Sequence, residues 1–250
     1  MATLSVSSSK RSSTADITAD GSIDWMLITG SGPDTFNRKS GGGSLITAFS
    51  YSPDVHGYNP SLPANSISWS DGTSPLSGSG TNSVYNYGNV TITVPADTTL
   101  KRLRVYAGTP TGVTFSCNAS LSDSSAGPAS ASYSLDSDCT FEILFSAASA
   151  GQTLTVEIAR TASNYLWISG AALENGPASP TLDQTHYRFR NDDGSETTAT
   201  WAAAEDTPIS LAKNTPVRLR VEIGATNDPA SAAYKLQYRK VGDSTWRDIN

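Results

Sequence analysis

Apolar residues recur at every second position along much of this chain, and that period restricts the fold more than any other feature. Valine and isoleucine alternate with threonine over residues 90–94, and similar alternation runs through 154–158 and 217–223. A period of two is typical of a β-strand with one buried face. No stretch of about 12 residues combines helical apolar spacing with helix caps. The sequence therefore predicts an all-β protein made of tandem β-sandwiches.

Polar clusters separate the alternating segments and divide the chain. Glycine, serine and aspartate fill residues 40–44, 71–72 and 77–80, and these residue types favour tight turns. Two prolines and a glycine interrupt the pattern at 174–180, which predicts a linker. We predict four segments: a polar N-terminal arm (mobile, or an edge strand) at 1–15, a jelly-roll β-sandwich at 16–173, the linker at 174–180, and a smaller Ig-like β-sandwich at 181–250.

The second sandwich has too few strands to close by itself. We expect roughly five or six strands in residues 181–250. A complete sandwich of this class takes about seven strands in roughly 100 residues. An open sandwich leaves unpaired backbone groups along its edge, and natural proteins protect such edges. We therefore expect a neighbouring subunit to complete it, or the natural chain to continue past residue 250.

An excess of acidic residues limits the partners. Lysine and arginine number 17 against 23 aspartate and glutamate residues, for a net charge of −6. Phosphate binding needs clustered lysine and arginine, which argues against nucleic acid as the main partner. No apolar run approaches the roughly 20 residues that cross a bilayer, so membrane insertion is not expected. The N-terminus shows no secretory signal. We expect either a virion-surface protein or an extracellular protein whose signal has been removed.

Several short motifs in the first predicted sandwich, among them ADGSIDW, SWSDG and VPADT, occur together in a known type of module. The motifs lie at residues 19–25, 36–39, 68–72, 94–98 and 147–156. This part of the chain resembles the galactose-binding-like jelly rolls of large bacterial secreted and cell-surface proteins, which often stand beside polysaccharide-degrading domains. The resemblance implies a jelly-roll fold and carbohydrate binding.

The second predicted sandwich carries a different resemblance. Residues 184–201, QTHYRFRNDDGSETTATW, resemble an Ig-like β module that is frequent in phage virion proteins and prokaryotic surface proteins. Residues 234–246, YKLQYRKVGDSTW, look like a hairpin of a fibronectin type III or Ig-like domain. This resemblance implies a structural role in a particle or on a cell surface.

Candidate sugar-binding residues concentrate between positions 51 and 87. The apolar face of a pyranose stacks on an exposed aromatic ring, while nearby polar groups bind its hydroxyls. Alternatively, the tryptophan belongs to the core and the tyrosines fill loop ends. The candidate rings are Tyr51, Tyr58, Trp69, Tyr85 and Tyr87, and the candidate polar partners are Asp54, His56, Asn59 and Asp71.

The residues also suggest a calcium site and a disulfide, and the sequence alone decides neither. Clustered carboxylates beside a glycine can hold a structural calcium ion, although a solvent-exposed turn explains consecutive acids as well. The acids in question are Asp20, Asp24, Asp192 and Asp193. Cys117 and Cys139 can form one disulfide or remain two buried free thiols. No cofactor is required, and calcium is the one cofactor that we consider.

A basic strip crosses the strands of the second predicted sandwich. It either is a solvated strand face or docks on an acidic neighbour in an assembly. Its members are Arg188, Arg190, Arg218, Arg220 and Arg239, with Lys235.

No arrangement of residues points to catalysis. The two histidines lie far apart, and no Gly-x-Ser-x-Gly elbow or paired acids suggest a nucleophile or a glycosidase site. Our leading hypothesis is a non-catalytic structural protein of a phage particle, a capsid decoration or tail component. It would form a homo-oligomer, contact other virion subunits and hold host polysaccharide weakly. The alternatives are a carbohydrate-binding module of a secreted bacterial enzyme or adhesin, and a subunit of a bacterial surface filament.

Overall fold

A computed structural model describes residues 2–29, 35–53, 56–110, 113–134, 137–160, 164–178, 181–226, 235 and 237–248. The chain divides into two compact units, Met1–Pro177 and Ala178–Asn250. Nearly all of its regular structure is antiparallel β-sheet, and helix in the described residues is limited to α1, Ile17–Asp20. No described helix is long and apolar enough to cross a membrane. The prediction of an all-β sandwich protein is confirmed.

The strands of the first unit are numbered in chain order. They are β1 Thr3–Lys10, β2 Ala15–Asp16, β3 Asp24–Ile28, β4 Phe36–Arg38, β5 Ser50–Ser52, β6 His56–Asn59, β7 Ile67–Trp69, β8 Gly78–Gly80, β9 Ser83–Asn86, β10 Asn89–Ala96, β11 Lys101–Thr109, β12 Phe115–Leu121, β13 Ala129–Tyr133, β14 Ser137–Ser146, β15 Gln152–Arg160 and β16 Leu166–Asn175.

Two sheets pack face to face to form the first unit. The larger sheet has the order β1-β14-β11-β16-β3-β4, with β9 beside β16 and β6 beside β9, and the smaller has the order β13-β12-β15-β10-β5. Alternate residues of each strand enter the space between the sheets. In β10, for example, Val90, Ile92 and Val94 are buried in the main core while the threonines between them are half-buried. The alternation in the sequence thus builds the core.

A third layer covers part of the outer face of the larger sheet. Strand β3 is buried along its whole length, because Met26 and Ile28 enter the main core while Trp25 and Leu27 enter a second core. That second core also contains Ile17 of α1, Ile67 and Trp69 of β7, and Tyr106 of β11. Strands β2, β7 and β8 form the small sheet of this layer.

The N-terminal residues form the edge strand β1 of the larger sheet. β1 is antiparallel to β14, from Thr3 opposite Ser146 to Lys10 opposite Cys139. Leu4 and Val6 pack against the main core, and the serines between and after them are mostly exposed. This polar outer face suits a strand that borders solvent.

The two cysteines are free thiols, so the disulfide among the sequence expectations is not formed. Cys117 lies on β12 of the smaller sheet and Cys139 on β14 of the larger sheet, and both side chains enter the main core. Burial raises the pKa of Cys139 to about 12 and raises that of Cys117 further. Both residues therefore act as small apolar core residues.

The second unit consists of hairpins in its described part. Strands β17, Thr181–Asn191, and β18, Val217–Thr226, form one antiparallel ribbon, and β19, Gln237–Tyr238, pairs with β20, Arg247–Asp248. The described residues thus show two two-stranded sheets in place of a closed sandwich. Residues 227–234 lie outside the described part, and the Ig-like fold stays a prediction.

Candidate functional site

The candidate sugar-binding residues do not form one site. Trp69 is buried in the second core, and its indole Nε1 donates a hydrogen bond to the Pro75 carbonyl at 3.0 Å. Tyr58 packs against the main core and donates its hydroxyl to Asn82 Oδ1 at 2.7 Å. Trp69 is therefore a core residue and Tyr58 is held within the fold, as the alternative to sugar binding predicted.

The remaining residues near Tyr51 are also used within the fold. Tyr51 packs against the main core and stacks on His56, with ring centroids 4.0 Å apart and an interplanar angle of 17°. Asn59 Oδ1 accepts a hydrogen bond from the Ser61 backbone amide at 2.8 Å. Asp54 lies outside the described residues.

Asp71 is a structural carboxylate that joins three parts of the first unit. Its Oδ1 accepts hydrogen bonds from Thr18 Oγ1 and Trp25 Nε1, each at 2.8 Å, and its Oδ2 pairs with the Lys39 ammonium. Burial raises the pKa of Asp71, but the hydrogen bonds from Lys39, Thr18 and Trp25 outweigh it and hold the pKa below its ordinary value. The carboxylate joins α1, β3 and the segment after β4 and so serves the fold.

Tyr85 and Tyr87 are brought together with two residues that sequence reasoning missed, Tyr165 and Trp167. We call these four residues the aromatic patch. The ring centroids of Tyr85, Tyr87 and Tyr165 lie 5.8 to 5.9 Å apart in every pairing, with interplanar angles of 59°, 70° and 87°. Tyr165 also contacts Trp167, at 6.3 Å between centroids. Tyr87 is 41% exposed, and Tyr85 and Tyr165 are half-buried.

Glycines on the neighbouring strands make room for this patch on the outer face of the larger sheet. The register places Gly108, Trp167, Tyr85 and Gly57 side by side across β11, β16, β9 and β6. A Cβ on Gly108 would lie 2.3 Å from the Trp167 ring, and one on Gly57 would lie 2.6 Å from the Tyr85 hydroxyl. Each ring therefore rests against the backbone of the adjacent strand, a contact that only glycine permits.

The four candidate calcium ligands are all engaged by protein groups. Asp24 Oδ1 and Oδ2 accept hydrogen bonds from the backbone amides of Trp25 and Ile46, and burial raises the pKa of Asp24. Asp20 Oδ2 accepts a hydrogen bond from the Tyr106 hydroxyl at 2.6 Å, and Asp20 Oδ1 pairs with Arg104. Both carboxylates are thus engaged within the fold, and a structural calcium ion stays a prediction.

The acids of the second unit hold its loop in place. Asp192 pairs with Arg218 at 2.6 Å, and Asp193 accepts hydrogen bonds from the amide and hydroxyl of Thr200. Neither belongs to the group of three potential metal ligands found in the described residues. That group consists of His186 on β17 and of Glu205 and Asp206 in the loop that follows β17.

His186, Glu205 and Asp206 are all exposed. His186 Nδ1 lies 2.6 Å from Asp206 Oδ2 and 3.7 Å from Glu205 Oε1. The hydrogen bond and charge of Asp206 raise the pKa of His186. Asp206 Oδ1 also accepts a hydrogen bond from the Tyr187 amide at 3.0 Å. These contacts explain the cluster as a link between the loop and β17, beside an open groove of about 320 Å³.

Four arginines of the basic strip share one face of the β17–β18 ribbon, but they are not a free basic surface. Arg188 lies opposite Arg220, and Arg190 lies opposite Arg218. Like charges directly opposite one another are destabilising unless they are compensated. Compensation comes from Asp192, which pairs with Arg218, and from Glu196, which pairs with Arg220 at 2.6 Å.

Trp201 completes this arginine face. The guanidinium carbons of Arg188 and Arg190 lie 4.1 Å and 4.7 Å from the centroid of its ring, within the range of cation–π attraction. Arg190 is buried and donates hydrogen bonds to the Ala199 and Glu196 carbonyls. Arg239 makes its own cation–π contact with Trp246, at 4.9 Å. These contacts all lie within the second unit, and the docking of the arginines on an acidic neighbour stays a prediction.

The opposite face of the same ribbon is apolar and exposed. We define the apolar face by its members, Tyr187, Phe189, Leu219, Val221 and Ile223. The register places Tyr187 opposite Val221 and Phe189 opposite Leu219, and residues that are directly opposite share a face. Leu219, Val221 and Ile223 are 41%, 44% and 37% exposed. Such exposure is unusual for an aliphatic strand face.

β18 is also an edge strand in the described part of the second unit. On the other side of the ribbon, residues 200–206 run beside β17, with hydrogen bonds from Ala202 N to the Phe189 carbonyl and from Asp206 N to the Tyr187 carbonyl. β18 pairs with β17 alone among the described strands. The apolar face and the edge together make β18 the candidate functional site.

Comparisons with models of protein families, with curated proteins and with solved structures found no match to this chain.

Proposed function

We propose that this protein is a non-catalytic structural subunit of a phage particle, a capsid decoration or tail component, and that its second unit associates with a second copy of the chain through β18. The observation that carries the proposal is the distribution of exposed apolar residues. Among the described residues, ten large hydrophobic side chains are exposed; eight belong to the second unit and two, Leu76 and Tyr87, to the first. A unit that exposes its apolar side chains gains stability by covering them.

The free edge of β18 would contribute backbone hydrogen bonds to the contact, and these fix the direction of the second strand. Ten residues of backbone offer hydrogen-bond donors and acceptors to another strand, and natural proteins rarely leave such a long apolar edge open. Each large apolar side chain that is fully buried contributes about 1.5–3 kcal/mol. On the opposite face, Arg218 and Arg220 pair with Asp192 and Glu196, and Arg188 and Arg190 stack on Trp201, so these side chains already have partners within the unit.

The chemistry of the described residues supports a non-catalytic role. The two cysteines are buried thiols with raised pKa values, and a thiol that is not ionised is a poor nucleophile. His186 contacts two carboxylates on an exposed loop, an arrangement that its structural contacts explain. The assignment to a phage particle comes from the resemblance of residues 184–201 and is part of the proposal.

The oligomeric state tests the proposal. Light scattering of the 26.2 kDa chain at several concentrations should give a discrete oligomer. Val221→Glu places a charge in the centre of the apolar face and should shift the protein to a monomer. Leu76→Glu is the matched control, because Leu76 is 69% exposed on the first unit, and it should associate as the wild type does. A wild-type monomer at every concentration, or equal loss of association in both variants, would contradict the proposal.

A further inference from the structure

We propose that two copies of the chain join their β18 strands in antiparallel orientation around a two-fold axis at Val221. Each Leu219 then lies opposite Ile223 of the second copy, and each Arg220 lies opposite Glu222 of the second copy. The two ribbons become one sheet in the order β17-β18-β18-β17. This inference rests on the proposed function, because it specifies the strand alignment of the contact proposed there and the residues that select it.

The hydrogen bonds of β17 show which backbone groups of β18 face the free edge. On the side of β17 away from β18, the Phe189 carbonyl accepts a hydrogen bond from the Ala202 amide. Backbone groups of successive residues point to opposite sides of an antiparallel strand, so Arg188 and the other even-numbered residues near it bond to β18. Because Arg188 lies opposite Arg220, the even-numbered residues of β18 bond to β17. The odd-numbered ones, Val221 among them, direct their amides and carbonyls to the free edge.

The same alternation determines which side chains meet across the contact. Two such edges pair odd-numbered with odd-numbered residues, so the apolar faces of both ribbons lie on one side of the joined sheet. A two-fold axis along the strands would make them parallel, but it would turn the two apolar faces to opposite sides. Leu219, Val221 and Ile223 are 41%, 44% and 37% exposed on the single chain. With the axis at Val221, each has an aliphatic side chain directly opposite, at about 4.5–5.5 Å between Cβ atoms.

The charged face selects one alignment among those that keep the apolar faces together. With the axis at Val221, Arg220 and Glu222 lie opposite one another twice, and opposite charges at directly paired positions stabilise a sheet. An axis at Arg220 places two arginines opposite each other, and an axis at Glu222 places two glutamates opposite each other. An axis at Leu219 or at Ile223 pairs no arginine with a glutamate. Among these five alignments, the sequence of β18 is therefore best complementary to itself in the one centred on Val221.

Glu222 has a carboxylate that the single chain leaves unused. In the described part of the chain, this carboxylate makes neither a hydrogen bond nor an ion pair. His186 lies opposite Glu222 on β17 but bonds to Asp206. Arg220 bonds to Glu196 through Nη2, and a guanidinium carries five N–H donors. Arg220 therefore keeps donors for the Glu222 carboxylate of a second copy.

Disulfide cross-linking of the full chain tests the alignment. Val221→Cys should form a disulfide-linked dimer under mild oxidation, because the Cα atoms of a hydrogen-bonded pair lie about 5.5 Å apart, a distance that a disulfide spans. Leu219→Cys and Ile223→Cys should each cross-link about tenfold more slowly, because the two introduced cysteines then lie about 13 Å apart along the strands. The double variant with both changes should cross-link as fast as Val221→Cys. Non-reducing gel electrophoresis measures the dimer.

The wild type is the background control for this measurement. Its own cysteines, Cys117 and Cys139, are buried in the first unit. Oxidation of the wild type should therefore give no cross-linked dimer.

Charge reversal at Glu222 gives a second measurement. Glu222→Lys turns both ion pairs into pairs of like charge and should raise the dissociation constant of the dimer about tenfold. Light scattering over a dilution series measures this constant. Asp183→Lys is the matched control, because Asp183 is an exposed acid on β17 of the same ribbon and the change in net charge is the same. Its dimer should dissociate as the wild-type dimer does.

The outcomes separate this inference from the proposed function. A wild type that stays monomeric at every concentration would overturn both. If the wild type associates but Val221→Cys cross-links no faster than Leu219→Cys and Ile223→Cys alone, the alignment is wrong and the proposed association stands. Equal weakening by Glu222→Lys and Asp183→Lys would also overturn the alignment alone. Circular dichroism of each variant checks that it is folded, and the cysteine variants change only exposed side chains.

Discussion

Trp69 and Asp71 show how residues with the chemistry of a binding site can serve the fold instead. An aromatic ring and an acid in a loop-rich stretch are what a sugar site needs, and the sequence marks both for that reason. In the structure Trp69 donates to a carbonyl and Asp71 joins groups as far as 53 positions away. Residue type can be read from the sequence, but a partner that lies so far along the chain cannot.

Replacing Asp71 by alanine should lower the free energy of unfolding by about 1.5–3 kcal/mol at pH 7, the range for hydrogen bonds to a charged group. The folded-state pKa of Asp71 lies below its ordinary value. Its carboxylate therefore contributes fully above the unfolded-state pKa, and the contribution is lost as the pH falls through the folded-state pKa. Urea unfolding at several pH values should show the difference between wild type and variant shrinking on acidification.

Asp97→Ala is the control for this measurement. Asp97 is about as exposed as Asp71, but its side chain pairs with Lys101 four residues away and accepts from the Thr99 amide. Among the described residues this side chain joins no distant segments, so we expect a smaller loss than at Asp71. A loss at Asp71 no larger than the loss at Asp97, or a difference that does not depend on pH, would show that the Asp71 contacts are not a stabilising network.

At the scale of elements, alternation in the sequence predicted β10, β14 and β15, because one face of each strand enters the main core. It did not predict the third layer, since the period says which residues share a face and not what covers the other face. The same limit applies to the aromatic patch. Tyr85 and Tyr165 are 80 positions apart in the sequence, and only the register of β9 beside β16 brings them together.

Gly108→Ala should destabilise the first unit and disturb the aromatic patch. The added Cβ would lie 2.3 Å from the Trp167 ring, and overpacking of this kind costs about 1–3 kcal/mol. Gly127→Ala, where nothing lies within 4 Å of the added Cβ, should change stability little. Urea unfolding followed by tryptophan fluorescence measures both. Equal stability of the two variants would show that Trp167 does not rest on the β11 backbone.

For the molecule as a whole, the two units differ in how far they bury their apolar side chains. The first unit buries them in two cores, and the second leaves many of them exposed. The composition of the sequence does not reveal this difference, because both halves alternate with the same period. The strand pattern predicted the shared arginine face. It did not predict the contacts of that face, because Trp201, Asp192 and Glu196 are loop residues whose contacts no strand pattern reports.

A fragment of residues 1–177 should fold without the remainder of the chain. It holds both sheets of the sandwich and the third layer, so its cores need no residue from the second unit. We expect a cooperative thermal transition by circular dichroism and a monomer by light scattering, under conditions in which the full chain associates. An unfolded fragment would contradict the independent folding of the first unit. A fragment that associates as the full chain does would contradict the assignment of assembly to the second unit.

The pairing of β1 with β14 has a consequence for the newly made chain. β1 is synthesised first, but its partner begins at residue 137. At about 5–20 residues per second, β1 leaves the ribosome roughly 7–30 s before that strand exists. Serine occupies four of its eight positions, so the waiting segment stays hydrated and has little tendency to aggregate. The polar composition that suits a finished sheet edge also protects the strand during its long delay.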